Sequence, residues 1–545
     1  MICLATGCQV SNVSLNNTEV YTSGINPEPE SIQAAFENRI SIKLMGSVLL
    51  EAEEPIPDQE TLQTKLTMLD SLLTQLASLN KNLLSLKQQH DIHQVKMLRI
   101  SYQRELNLWH KSNHLTAIKT LIPQQTFSVQ NRESVDLTIR QIQKIPQSLS
   151  RLSQILEHQT SLGIIYPDEL ISYATDHIRN VAVVKPGLLL DRYQQLLTYS
   201  DLTIKEQRNQ YLLMEQKFER EIRPAYLLLL RYLQDLKQAP GVRETSLVDG
   251  PGVIEPYLTG QEDVLQILHD EQARTYQQIT SASAQYSQSP GELYRDPKYT
   301  WADQPGSYQT ILNLIALYAL DIQKDLDNWF RQLPANEVLL AGMDNPDLAH
   351  ISYSDGQSLF DLQSLTNLPN YELETLAYQY TVPGFHLPGE TISAKLQSSK
   401  LSRIYLSGWS IYSLNLLWQH RENKALFETG LAELGFLVRS HLAVCSAIID
   451  VNLQIGNWSS DQARDFLSDQ TPYSPGFIKR HVLRIIANAG SSVGSYLIAR
   501  ELKVLQQYSV QQLGLSLPVF HQAIINHSPA TLKFLKTEMR DILSQ

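Results

Sequence analysis

His386 and Glu390 stand four residues apart, a spacing that on a helix would put an imidazole and a carboxylate on one face. A pair of that kind could serve as two metal ligands. Pro388-Gly389 lies between them and disfavours a regular helix, so a hydrogen-bonded structural role is the expectation for His386. His90 and His93, on a leucine-striped segment, are expected to face solvent. Ser407-Gly408-Trp409-Ser410 offers hydroxyls. A serine nucleophile needs a histidine base and an orienting acid within reach, and the sequence identifies neither. The chain has no glycine-rich phosphate loop and no G-x-S-x-G turn.

The elements that would position these groups read as helices. Leu62, Leu66, Leu69, Leu73 and Leu76 advance by alternating fours and threes, and Leu79, Leu83 and Leu86 extend the stripe. The expectation is a long helical signal over 61–109, buried as one face of a helical hairpin rather than as a coiled-coil seam. Helical patterns follow at 134–159 (with a break at Pro146), 168–181, 185–199 and 204–236. A Gly- and Pro-rich piece over 238–252 reads as a loop. Next come a helix over 260–281, a polar linker over 282–306 and an amphipathic helix over 308–333. Residues 337–370, with Gly342, Pro346, Gly356 and Pro369, predict a short extended element. Helices dominate again from Tyr371, and Pro383-Gly384 should kink or end the first of them.

The chain of 545 residues is long for one core, so two or three subdomains or one large helical body are expected. A net charge of -11, with Lys and Arg scattered, excludes a nucleic-acid partner and an anionic-membrane patch. No run of eighteen apolar residues is evident, so no transmembrane helix is expected. Three cysteines cannot staple a chain this long, and Cys445, in an apolar run, reads as a small core residue. Leu4-Ala5-Thr6-Gly7-Cys8 resembles a bacterial lipobox, and the polar stretch after it reads as a tether. A basic n-region and a longer apolar stretch are missing, so either the true start lies upstream or the match is chance. Lipidation at Cys8 would place the protein in the cell envelope or periplasm; without it the expectation is cytoplasmic.

Leu373-Glu374, Leu376, Tyr378, Pro383-Gly384, His386 and Leu387 fit, in register, the pattern L-E-x-L-x-Y-H-E-x-x-P-G-H-H-L-Q. Ser407-Gly408-Trp409-Ser410-Ile411-Tyr412 fits E-G-W-A-L-Y. The stretch 447–463, with Asp450, Gln454, Gly456 and Trp458, fits R-L-V-V-D-T-G-x-H-x-x-G-W-S-x-x-Q-A, and 484–491 echoes a fourth block. Upstream, Arg223-Pro224-Ala225-Tyr226, Leu247-Val248-Asp249-Gly250 and Tyr257 add two more. In these blocks the chain resembles the bacterial family called domain of unknown function 885, a helical family that looks like a branch of the zinc metallopeptidases.

That resemblance implies a mainly α, zinc-peptidase-like body with a short extended or β element beside a cleft. It also implies zinc, but the positions that would hold it carry other groups. Gln379 and Tyr380 stand at the H-E pair, Phe385 at the first His of H-H, Ser407 at the Glu, and Gln454 at a further His. Amide, phenol, phenyl and hydroxyl groups do not supply the imidazole and carboxylate ligands zinc takes. The implied reading has no catalytic residue and no cofactor, with a degenerate site at Gln379, Tyr380, Phe385, His386, Ser407 and Gln454. Tyr380 is expected to fill the vacated volume and bond Ser407 or His386, with Trp409 and Tyr412 lining the cleft. The regions would be a lipobox-like tether (1–35), a helical N-terminal region (36–250) and a helical C-terminal region with the degenerate site (251–545).

Three functions follow. The first is an inactive relative that binds a peptide or protein, or serves structure. The second is a hydrolase with a displaced site built from Glu374 or Glu390 with His386. The third is an envelope structural lipoprotein.

Overall fold

In the computed structural model the leucine stripe forms α1 (Gln59–Ala77), which buries Leu62, Leu66, Leu69, Leu72 and Leu76. That face packs on α2 (Leu86–Asn107), so the stripe is one side of a helical hairpin. The signal expected as one run to Trp109 divides because Ser85 starts a new helix. Its Oγ accepts from the Gln88 N–H at 3.2 Å, and Gln88 Oε1 accepts from the Ser85 N–H at 2.9 Å. Leu79 is buried, but Leu86 is 68% exposed and does not continue the stripe.

The structure describes residues 59–79, 84–109, 142–162, 166–184, 188–198, 202–238, 263–301, 307–342, 351–419 and 430–544, with short gaps at 325, 355, 362–364, 367 and 398, plus Met45 and Leu115. The lipobox-like Cys8 and its tether, Leu83, the 238–252 loop beyond Gln238, Leu247 to Gly250 and Tyr257 lie outside the described residues.

The expectation that His90 and His93 face solvent is wrong. His93 is buried and its Nε2 meets the Pro529 carbonyl at 2.8 Å. His90 is half-buried between the carbonyls of Asn526 and Thr391, both at 2.8 Å. Gln94 adds bonds to the Thr391 carbonyl (2.7 Å) and the Ser393 N–H (2.8 Å). One face of α2 is therefore polar because it docks on backbone groups of the C-terminal half, where imidazoles and amides satisfy buried carbonyls that water cannot reach. A helical wheel cannot tell that face from a wet one.

Pro146 sits in the first turn of α3 (Ile145–Ser161), where its missing N–H costs nothing, so it starts this helix. After α4 (Asp168–Arg179) and α5 (Leu188–Thr198) come α6 (Ile204–Lys217) and α7 (Arg223–Gln238). A single π-turn, Phe218–Ile222, joins the last two. α8 (Val264–Ala284) runs further than expected. The stretch expected as linker contains α9 (Pro290–Arg295), started by Ser289 and Glu292 in a capping box. α10 (Ser307–Gln323) leads to the predicted extended element. That element is a three-stranded sheet in the order β1-β3-β2, from β1 (Leu339–Gly342), β2 (Ile351–Ser354) and β3 (Gln357–Phe360). β1 runs parallel to β3, and β2 pairs antiparallel with it. With 78% of the described residues in helices and a small sheet beside them, the fold is mainly α as expected.

The rest is helical: α11 (Leu373–Tyr380), α12 (His386–Gly389), α13 (Ala394–Gln397), α14 (Lys400–Gln419), α15 (Gly430–Gln454), α16 (Ser460–Gln470), α17 (Pro475–Ala487) and α18 (Ser491–Gln511), then three short helices to Ser544. α14 packs on α18 through Gly408, where a Cβ would come within 2.6 Å of Ile498. Buried apolar residues from Met45 to Leu543 form one continuous cluster. Cys445 is buried in it, as expected. Among the described residues one helix segment, Leu431–Gln454, is long and apolar enough by mean hydropathy to cross a bilayer, although Arg439 and Asp450 interrupt it and no unbroken run of eighteen apolar residues occurs there; 83% of its apolar window is buried inside the protein, as in a core helix.

Candidate functional site

α11 is buried at every residue except Gln379, which is half-buried. Its hydrogen-bond ladder ends in a bulge. The Gly384 N–H reaches back six residues to the Tyr378 carbonyl (3.1 Å), and the Phe385 N–H reaches the Gln379 carbonyl (3.0 Å). A regular helix reaches back four, so two residues are looped out at the Val382–Pro383 step. Only glycine tolerates the crossing, since a Cβ on Gly384 would lie 2.0 Å from the Gln379 oxygen. The Trp409 indole N–H holds the Pro383 carbonyl at 2.9 Å from the opposite helix. The bulge therefore brings positions 379 and 385, six apart in sequence, to neighbouring turns. Tyr380 and Phe385 stack nearly parallel, with ring centroids 5.0 Å apart.

α14 meets this corner through Ser410, and half-buried residues recur along the same helix at every fourth position, Ser407, Ile411 and Asn415. Gln379 is tied on both sides. Its Nε2 donates to Ser410 Oγ at 3.4 Å, and its Oε1 accepts from Arg439 Nη2 of α15, also at 3.4 Å. Gln379, Tyr380 and Phe385 thus come together beside the α14 turn that carries Ser407 and Ser410.

Other expected members lie elsewhere. His386 points at the 335–336 segment and the sheet: Nε2 meets the Asn336 carbonyl at 2.7 Å and Nδ1 meets the Tyr353 hydroxyl at 3.0 Å. With both ring nitrogens engaged it cannot receive the Tyr380 phenol. Glu390 caps the same segment, accepting from the N–H groups of Ala335 (2.8 Å) and Asn336 (2.9 Å). Glu374 is buried and accepts from the Tyr378 phenol at 2.8 Å. Gln454 sits fifteen residues beyond Arg439 on α15, about 22 Å along a straight helix. It is buried, and among the described residues neither polar atom of its amide has a partner. Trp409 and Tyr412 do not line a cleft: both are fully buried, and the Tyr412 hydroxyl bonds His521 Nε2 at 2.7 Å.

Behind Gln379 lies a polar cluster that the sequence reading missed. Glu372 is completely buried, and burial pushes its carboxyl up to about 7 against the opposing pull of Arg439. The Tyr473 phenol donates to Glu372 Oε2 at 3.4 Å and also partners Arg439. Burial pulls at the Arg439 charge, and Tyr473, Tyr380 and Glu372 more than restore it. Tyr473 further lines a pocket of about 320 Å³ with Tyr294, Phe477 and Arg480. One sequence signal was available: Arg439 interrupts the apolar run Phe436-Leu437-Val438.

A second buried centre braces α14. Asp450 accepts from the N–H groups of Gly490 (2.8 Å), Ser492 (2.9 Å) and Val493 (3.2 Å), capping α18. Burial raises its carboxyl to about 6. Lys400 Nζ bonds the Ala489 carbonyl at 2.6 Å, and burial lowers this ammonium to about 7.

The groups around Gln379 are an amide, hydroxyls, aromatic rings and a guanidinium. A fixed positive charge beside neutral amide, hydroxyl and aromatic groups is the reverse of a zinc site. No three His, Cys, Asp or Glu side chains are grouped to hold a metal among the described residues. The residues present do not fit the zinc that the sequence resemblance implies.

The fold has counterparts. A crystal structure described as "the putative lipoprotein from Colwellia psychrerythraea" superposes with a TM-score of 0.73 at 14% identity, covering 94% of this chain and 99% of that one. A second, "a putative lipoprotein of unknown function from Shewanella oneidensis", gives 0.59 at 13% identity, covering 93% and 98%. No curated protein matches the chain. Residues 50–539 match the family described as "Bacterial protein of unknown function (DUF885)". Because that match spans nearly the whole sequence, the chain belongs to this bacterial family.

Proposed function

We propose that this protein is a non-catalytic member of its family that binds a peptide or protein segment at the Gln379 corner, in the cell envelope, anchored through Cys8. One observation carries the reading. The bulge after α11 holds positions 379 and 385 side by side against α14, and the groups delivered there are an amide, a phenyl ring and hydroxyls, backed by Arg439. These groups hydrogen-bond and stack; they neither ligate zinc nor accept a proton at neutral pH. The likeness to two chains described as putative lipoproteins, together with Cys8 in its lipobox-like setting, supports the envelope part. The displaced-hydrolase alternative is weakened because His386, Glu374 and Glu390 are all engaged in structural bonds.

Elemental analysis of purified protein, with a fluorogenic peptide library assayed with and without chelator, tests the first part. The expected result is no stoichiometric zinc and no turnover. Chelator-sensitive cleavage would overturn it. Incorporation of labelled fatty acid that disappears in Cys8→Ala tests the anchor, and a protein never labelled when made from its native gene would refute it.

A further inference from the structure

α15 is apolar around its midpoint, yet it carries Arg439 there, half-buried and beside Gln379. A guanidinium presents five N–H donors in a planar fork. Among the described residues its partners are the Gln379 amide oxygen, at a long 3.4 Å, and the Tyr473 phenol. No ion pair joins it to a carboxylate there, and Glu372, the acid acting on it, is linked to it through Tyr473. The half-buried side chains of α11, of the bulge and of the facing stretch of α14 are Gln379, Phe385, Ser407, Ile411, Asn415 and Trp418, and none of them is acidic; on α15 the half-buried Glu433 lies six residues before Arg439, about 9 Å along the helix axis.

The geometry points to Arg439 as the receptor for a carboxylate carried by a ligand that enters between α11, α14 and α15. The inference rests on the binding role proposed for this corner and names the ligand's chemistry: a peptide with a free C-terminal or side-chain carboxylate. The fork of a guanidinium matches a carboxylate with two parallel bonds, and a partly desolvated charge strengthens them. A single cation beside buried Glu372 suits a monoanion better than a phosphate dianion. Gln379 positions the fork by holding one nitrogen, and the Tyr380–Phe385 stack offers an apolar wall for the neighbouring side chain.

The test is binding of pooled random tetrapeptides, prepared once as free acids and once as C-terminal amides with acidic side chains omitted, to the full chain by calorimetry. Free acids should bind at least tenfold more tightly than amides, and the preference should vanish in Arg439→Gln. Because that change strands Glu372, the paired variant Arg439→Gln with Glu372→Gln is measured alongside, with circular dichroism confirming the fold. Arg439→Lys should keep part of the preference. Equal binding of acids and amides to the unaltered protein would refute the carboxylate receptor while leaving peptide binding standing. So would an acid preference that survives in the paired variant. If neither pool binds, peptide binding and the carboxylate receptor fall together.

Discussion

Acidification should weaken the docking of α2 on the C-terminal half, and His93 sets the amount. Burial is the main reason its imidazole is pulled down to about 3; His527, His90 and Lys96 add to the effect, and the Pro529 carbonyl opposes it. The unfolded chain protonates this group near 6.5, so between 6.5 and 3 the unfolded state binds more protons than the folded one. A depressed folded value means its stability contribution is complete above 6.5 and is lost as pH falls. At pH 5 the loss is about 1.5 pH units at roughly 1.4 kcal/mol each, or about 2 kcal/mol. His93→Gln keeps a donor for the Pro529 carbonyl but cannot titrate. Urea unfolding of both proteins at pH 7.5 and pH 5 should show the stability gap between them shrinking by about 2 kcal/mol in the variant's favour. A gap that stays constant to within about 0.5 kcal/mol would show that His93 is protonated in the fold at pH 5 and that the linkage argument is wrong.

Two further changes probe the frame. Gly384→Ala places a methyl 2.0 Å from the Gln379 oxygen, so thermal unfolding should show a loss of at least about 3 kcal/mol, and a loss under about 1 kcal/mol would mean the bulge has room. Asp450→Ala removes the acceptor for three N–H groups, those of Gly490 and Val493 buried and that of Ser492 half-buried, and should cost about 2–4 kcal/mol in urea unfolding. Asp450→Asn should cost less, since its amide oxygen keeps part of the cap and burial already penalises the charge; equal losses for the two would contradict this account.

Helix positions were legible because burial on one side imposes a 3.6-residue rhythm, as at Leu62 to Leu76. The sheet's location was legible from glycines and prolines that helices avoid. The hairpin's division at Ser85 was written in a short capping signal and went unread under the stronger leucine rhythm. His90 and His93 were misplaced because a buried polar face that meets backbone carbonyls has the same composition as a solvated one. At the site, motif register located Gln379, Tyr380 and Phe385 together, since the bulge is local. Gln454 and His386 were grouped with them by linear pattern alone, and tertiary packing carries both elsewhere. Arg439 escaped notice because one cation in an apolar helix reads as an interruption until its neighbours are known.

The looped-out step at Val382–Pro383 is held from both sides by amides on carbonyls and by an indole, and none of those bonds uses the side chains at 379, 380 or 385. Shape and chemistry are therefore separable in part at this corner: main-chain bonds and one indole hold the backbone step, so the half-buried Gln379 and Phe385 can be varied without breaking those bonds, whereas Tyr380 is buried and stacked on Phe385 and belongs to the packing. A library randomised at Gln379 and Phe385 alone would keep that backbone step, which makes the protein a starting point for installing new recognition without redesigning its backbone.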